Sequence, residues 1–97
     1  GELLRRARTI DPSNLPVLIN LGNYFCLVEE FDSATVSFAE ARRIDTSSFA
    51  AAMGLATALY YSGKEIAAKQ SLSVAETLVS NSEQQKKVSN LRQYLRR

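Results

Sequence analysis

The chain of 97 residues has no histidine and a single cysteine, Cys26. Without imidazole it lacks the commonest general base and the commonest neutral metal ligand, and one thiolate alone completes neither a zinc site nor a cysteine–histidine nucleophile pair. A lone thiol forms no internal disulfide, so nothing in the sequence asks for an oxidising compartment. Glycine is scarce: Gly22, Gly54 and Gly63 stand isolated, and none precedes the lysine-serine/threonine pair of a phosphate-binding loop. No apolar run reaches the roughly 18 residues of a membrane-spanning helix, and the opening GELLRRARTIDP is too polar for a secretory signal. These absences lead us to expect no enzyme, no cofactor, no metal, no membrane span and a cytoplasmic location.

What is present suits one small domain with a thin core, at 45% hydrophobic and 23% charged residues. The formal net charge of +2 is unevenly spread. Residues 83–97 hold five bases and one acid, whereas residues 13–45 hold two bases and five acids. Laid over itself with a 34-residue period, the chain matches without a gap. Leu21 meets Leu55, Gly22 meets Ala56, Phe25 meets Leu59, Ala34 meets Ala68, Phe38 meets Leu72, Ala41 meets Ala75 and Asp11 meets Asp45.

Each unit reads as two antiparallel amphipathic helices. The first runs from Leu15 to Val28, with Leu18, Leu21, Phe25 and Val28 at spacings of three and four. The second runs from Ser33 to Ile44 behind Asp32, a good capping residue, with Ala34, Phe38, Ala41 and Ile44 on one face. Pro12, Ser13 and Asn14 break the chain between units, and Gly63 falls where the second unit turns back. In the last fifteen residues, Val88, Leu91 and Leu95 match the first-helix stripe only if the preceding turn is about two residues longer, and Ser82 with Gln85 offers a capping box. No segment claims β-structure.

The gapless period, the run Leu21, Gly22, Phe25, Ala34, Phe38, Ala41 and the Asp11-Pro12 boundary together resemble the tetratricopeptide repeat family. The resemblance implies an all-α fold of antiparallel helix-hairpin repeats stacked as a short right-handed superhelix. It makes residues 1–97 a single domain: the end of an incomplete repeat at 2–14, a full repeat at 15–48, a full but degenerate repeat at 49–82 and a capping helix at 83–97. The family's large first-helix aromatic is replaced by Leu18 and Ala52, and its boundary proline by Thr46 and Ser80. The resemblance also explains Gly22, which costs about 1 kcal/mol in a helix. It lets paired helices approach closely, Gly22 facing Ala34 as Ala56 faces Ala68.

Stacked repeats present their first helices along a concave surface. The resemblance places Ile19, Asn20, Asn23, Cys26 and Leu27 there in one unit, and Met53, Thr57, Tyr60 and Tyr61 in the next. These residues form the expected site for an extended, mainly apolar peptide, with Met53 and Tyr60 also suited to packing against a neighbouring repeat or a second copy. The positions at which the family clamps acidic chaperone tails fall on Ile19, Asn23 and Gly54, and lack the needed cations. The expected partner is therefore a protein or peptide, and the expected role an adaptor or scaffold. The final repeats and last helix are also similar to bacterial chaperones of type III secretion translocators. A further alternative is RNA or an acidic partner bound through Lys86, Lys87, Arg92, Arg96 and Arg97. RNA is disfavoured because related RNA-binding hairpin arrays run near 35 residues per repeat. Leu3, Leu4, Ala7 and Ile10 of the leading half-repeat would lack half their cover and favour self-association.

Overall fold

A computed structural model describes residues 15–95, and all the ordered elements among them are helices: α1 (Leu15–Leu27), α2 (Phe31–Ile44), α3 (Phe49–Tyr61), α4 (Glu65–Thr77) and α5 (Ser82–Leu95). The leading half-repeat at 2–14, with its stripe from Leu3 to Ile10, lies outside the described residues, as do Arg96 and Arg97. The starts of α1 and α3 are one sequence period apart, and so are those of α2 and α4. Periodicity in the sequence is thus periodicity in the chain path.

Each helix packs on the next. In addition α1 touches α3 and α3 touches α5, whereas α2 and α4 make no contact with each other. The α1–α3–α5 layer is therefore drawn together while the α2–α4 layer is splayed. One continuous core runs between the layers through Leu21, Phe25, Phe38, Leu55, Leu59, Leu72 and Val88, and a smaller cluster joins Leu18 to Ala41 and Ala51. Burial of each large side chain in this set contributes about 1.5–3 kcal/mol.

The hairpin turns are built alike. After α1, the Glu30 amide donates to the Phe25 carbonyl at 2.8 Å and the Glu29 amide to the Cys26 carbonyl at 3.1 Å. After α3, the Lys64 amide donates to Leu59 at 2.9 Å and the Gly63 amide to Tyr60 at 3.1 Å. This paired closure is the Schellman arrangement, which needs a left-handed residue at its apex. Glu29 (φ 61°) and Gly63 (φ 84°) fill that position.

Several boundaries differ from the sequence expectation, each for a local reason. The tight turn starts α2 at Phe31, so Asp32 sits inside its first turn and no side chain caps that helix. There its carboxylate favours the helix through the dipole instead. Val28 lies past the end of α1 and is half exposed rather than part of the stripe. The side-chain cap of α5 is Asn81, one residue before the expected Ser82, and the Gln84 side chain reaches the residue before that cap. The Gln84 amide donates to Asn81 Oδ1 at 2.8 Å, and Gln84 Oε1 accepts from the Ser80 amide at 2.8 Å. At α3 the cap is Ser48, whose Oγ accepts from the Ala51 amide at 3.2 Å.

The atoms nearest the outward side of Gly22 belong to Phe38. A Cβ built on it would lie 2.5 Å from Cζ of Phe38, and one on Gly54 would lie 2.4 Å from Cε1 of the same ring. Phe38, projecting from α2, is thus wedged between two glycines on α1 and α3. The close approach is helix to ring, because a phenyl group fills the space that a second small residue would have left open.

Candidate functional site

Side chains on α1, α3 and α5, some of them packed against the core, line a cavity of about 600 Å³ with Phe38 of α2 at its floor. Ile19 and Asn23 line it from α1 and their equivalents one period on, Met53 and Thr57, from α3, while Gln84, Lys87, Asn90, Leu91 and Tyr94 line it from α5. Cys26, Tyr61 and Tyr94 lie towards one end, Ala50 and Gln84 towards the other, and Gly54 lies against the buried Phe38 ring at the floor.

Of the residues the sequence suggested, Ile19, Asn23, Cys26, Met53, Thr57 and Tyr61 share this cavity. Asn20, Leu27 and Tyr60 do not line it. Asn20 is exposed one helix position beyond Ile19. Leu27, 83% exposed, ends α1 outside the walls. Tyr60 is turned against the core, its ring 5.1 Å from Tyr61 and 6.0 Å from Tyr94, so it supports the groove from behind. Tyr61 is also stacked on Phe31 at 5.1 Å, which fixes the ring while leaving more than half of the residue exposed.

The contribution of α5 was missed. Gln84, Lys87, Asn90, Leu91 and Tyr94 all line the cavity. Val88, Leu91 and Leu95 are buried as the counterparts of Ala52, Leu55 and Leu59, each two positions later than the period predicts, and this offset drew attention to the core stripe alone. The strict 34-residue period, carried forward from Ala50, Met53 and Thr57, would have found Gln84, Lys87 and Leu91.

Chemically the cavity is apolar with neutral amides. Its walls contain no aspartate or glutamate, and Lys87 is the one formal charge among the described lining residues. The Thr57 hydroxyl already donates to the Met53 carbonyl at 2.9 Å. Burial pushes the Cys26 thiol above its ordinary pKa, so it behaves as a small apolar wall residue rather than a thiolate nucleophile. The other bases of α5 are placed differently. Arg92 is bound to Glu76 at 2.9 Å, and Lys86 is exposed outside the cavity. Among the described residues no helix is long and apolar enough to cross a membrane.

No family model matches the chain, and no curated protein matches it.

Proposed function

We propose that the protein is a non-catalytic interaction module of the tetratricopeptide type, and that the α1–α3–α5 groove holds an extended, mainly apolar peptide. The observation that carries this reading is the cavity itself, lined at equivalent positions of α1 and α3 by Ile19 with Met53 and Asn23 with Thr57, and by Lys87, Leu91 and Tyr94 of α5. Apolar groups next to amides able to satisfy a peptide backbone are what such a ligand requires. Rigidly held Tyr61 and adaptable Met53 suit the role of anchors.

Helices packed at roughly 8–10 Å put about 20 Å between the outer two, which about six extended residues would cover. A site of that size holds a short linear segment rather than a folded face.

The test is capture of partners from native lysate on the wild-type chain and on Met53→Glu, with melting curves of both. A partner whose binding falls by about 2 kcal/mol or more on Met53→Glu, while the fold melts unchanged, supports the groove. Undiminished binding by the variant would place the interaction elsewhere. Tyr61→Ala is the companion change, since Tyr60 does not line the cavity.

A further inference from the structure

The groove has a charge preference built into its lining. Ile19, Met53 and Leu91 supply apolar side chains, and Lys87 supplies an ammonium. Among the described residues no salt bridge to Lys87 is present, Glu83 one turn earlier on α5 lies outside the cavity, and no carboxylate lines it. Glu76, which could have supplied a counter-charge from α4, is bound by Arg92. The remaining polar lining groups, Asn23, Gln84 and Asn90, are neutral amides.

Resting on the peptide-groove reading, we infer that the bound segment is mainly apolar and carries an acidic side chain that meets Lys87. The charge follows from complementarity, because an unpaired ammonium beside apolar walls opposes a cationic ligand and favours a carboxylate. The group is a side chain and not a chain terminus, since the α5 wall continues on both sides of Lys87, to Gln84 in one direction and to Leu91 and Tyr94 in the other. This differs from a clamp made by several cations around a terminal carboxylate. Here one cation sets the register of a mainly apolar segment.

The probe is a phage-displayed library of random peptides of about ten residues, long enough to overhang the groove. It is selected in parallel against the wild-type chain, Lys87→Gln, Lys87→Glu and Met53→Glu. Wild-type selections should be apolar, with aspartate or glutamate enriched. Lys87→Gln should keep the apolar pattern and lose the acid, and Lys87→Glu should replace the acid by lysine or arginine. For one selected peptide, changing glutamate to glutamine should weaken wild-type binding about threefold to fivefold, the range of a partly exposed charge pair, with less effect at high salt. Amidating the peptide's C-terminus should change nothing; weakening comparable to that of the glutamine change would move the recognised group to the chain end and overturn the inference.

Apolar selections without acid enrichment, or acid enrichment that survives Lys87→Gln, would overturn the inference and leave the groove standing. An empty selection, or peptides that bind Met53→Glu as well as wild type, would overturn the groove and this inference with it.

Discussion

Glu29 and Gly63 occupy equivalent positions in successive repeats and hold the same left-handed turn, at φ 61° and 84°, each at the apex of a Schellman closure. For glycine this conformation is free of steric cost, whereas a residue with a Cβ pays about 1–2 kcal/mol. Glu29→Gly should therefore stabilise the protein by about 0.5–1 kcal/mol after the added freedom of the unfolded chain is subtracted. Nothing lies within 4 Å of a Cβ at Gly63, so Gly63→Ala should cost about 1 kcal/mol through φ alone. Urea midpoints at constant slope would measure both. A loss of stability on Glu29→Gly would show that the glutamate side chain makes a compensating contact.

The second prediction concerns the ring between α1 and α3. Gly22→Ala improves helix propensity by about 1 kcal/mol, yet its Cβ would overlap Phe38, which cannot retreat because Gly54 bounds the other side. Overpacking should win, for a net loss of about 1–3 kcal/mol. The second unit already shows the alternative solution, Ala56 and Leu72 at the equivalent positions. Gly22→Ala combined with Phe38→Leu should accordingly lose less than the two single changes summed, and a double-mutant cycle with strictly additive costs would refute the wedge.

Both features show how far the sequence could be read. Helix positions were legible because Leu18, Leu21 and Phe25 repeat as Ala52, Leu55 and Leu59, and such stripes survive any detail of packing. The left-handed turn at Glu29 was not, since no property of glutamate asks for it and the two amide bonds that hold it belong to the backbone. The wedge at Gly54 was hidden for a related reason. That glycine has no counterpart at Asn20, one period earlier, and its reason lies on another helix. In the groove, Ile19, Asn23, Met53 and Thr57 followed from the family resemblance, whereas Lys87 stood only among the bases of the last helix, because its place in the lining depends on how α5 packs.

The third prediction is a pH dependence. Asp45 follows α2, and its Oδ1 accepts from the Ser47 hydroxyl at 2.7 Å and from the Ser47 amide at 3.0 Å. The hydroxyl bond first, then the amide bond, hold this carboxyl below its ordinary pKa. A depressed folded-state pKa means stabilisation that is present above the unfolded value and lost as pH falls through the folded value. The window therefore opens below about pH 4. Carboxyl NMR titration should place Asp45 below an ordinary aspartate, and Ser47→Ala should raise it. An unchanged titration in Ser47→Ala would remove the hydroxyl from the account.

The last prediction separates the two faces of α5. Val88, Leu91 and Leu95 are buried against α3 and α4, while Lys86 stays in water and Arg92 reaches Glu76 across a partly exposed surface. Leu91→Ala should cost about 2–5 kcal/mol, a large part of the about 5–15 kcal/mol that holds a small domain together. Lys86→Ala should be close to neutral, and Arg92→Ala should cost less than about 1 kcal/mol because an exposed ion pair contributes little. Deleting residues 82–97 uncovers the apolar faces of both neighbouring helices, so cooperative melting should be lost. Since α5 also supplies Lys87, Leu91 and Tyr94 to the groove, peptide binding should disappear in the same variant. The discriminating measurement is a thermal melt followed by circular dichroism: a truncated chain that melts cooperatively near the wild-type temperature would make α5 a wall of the binding site and not a support of the fold.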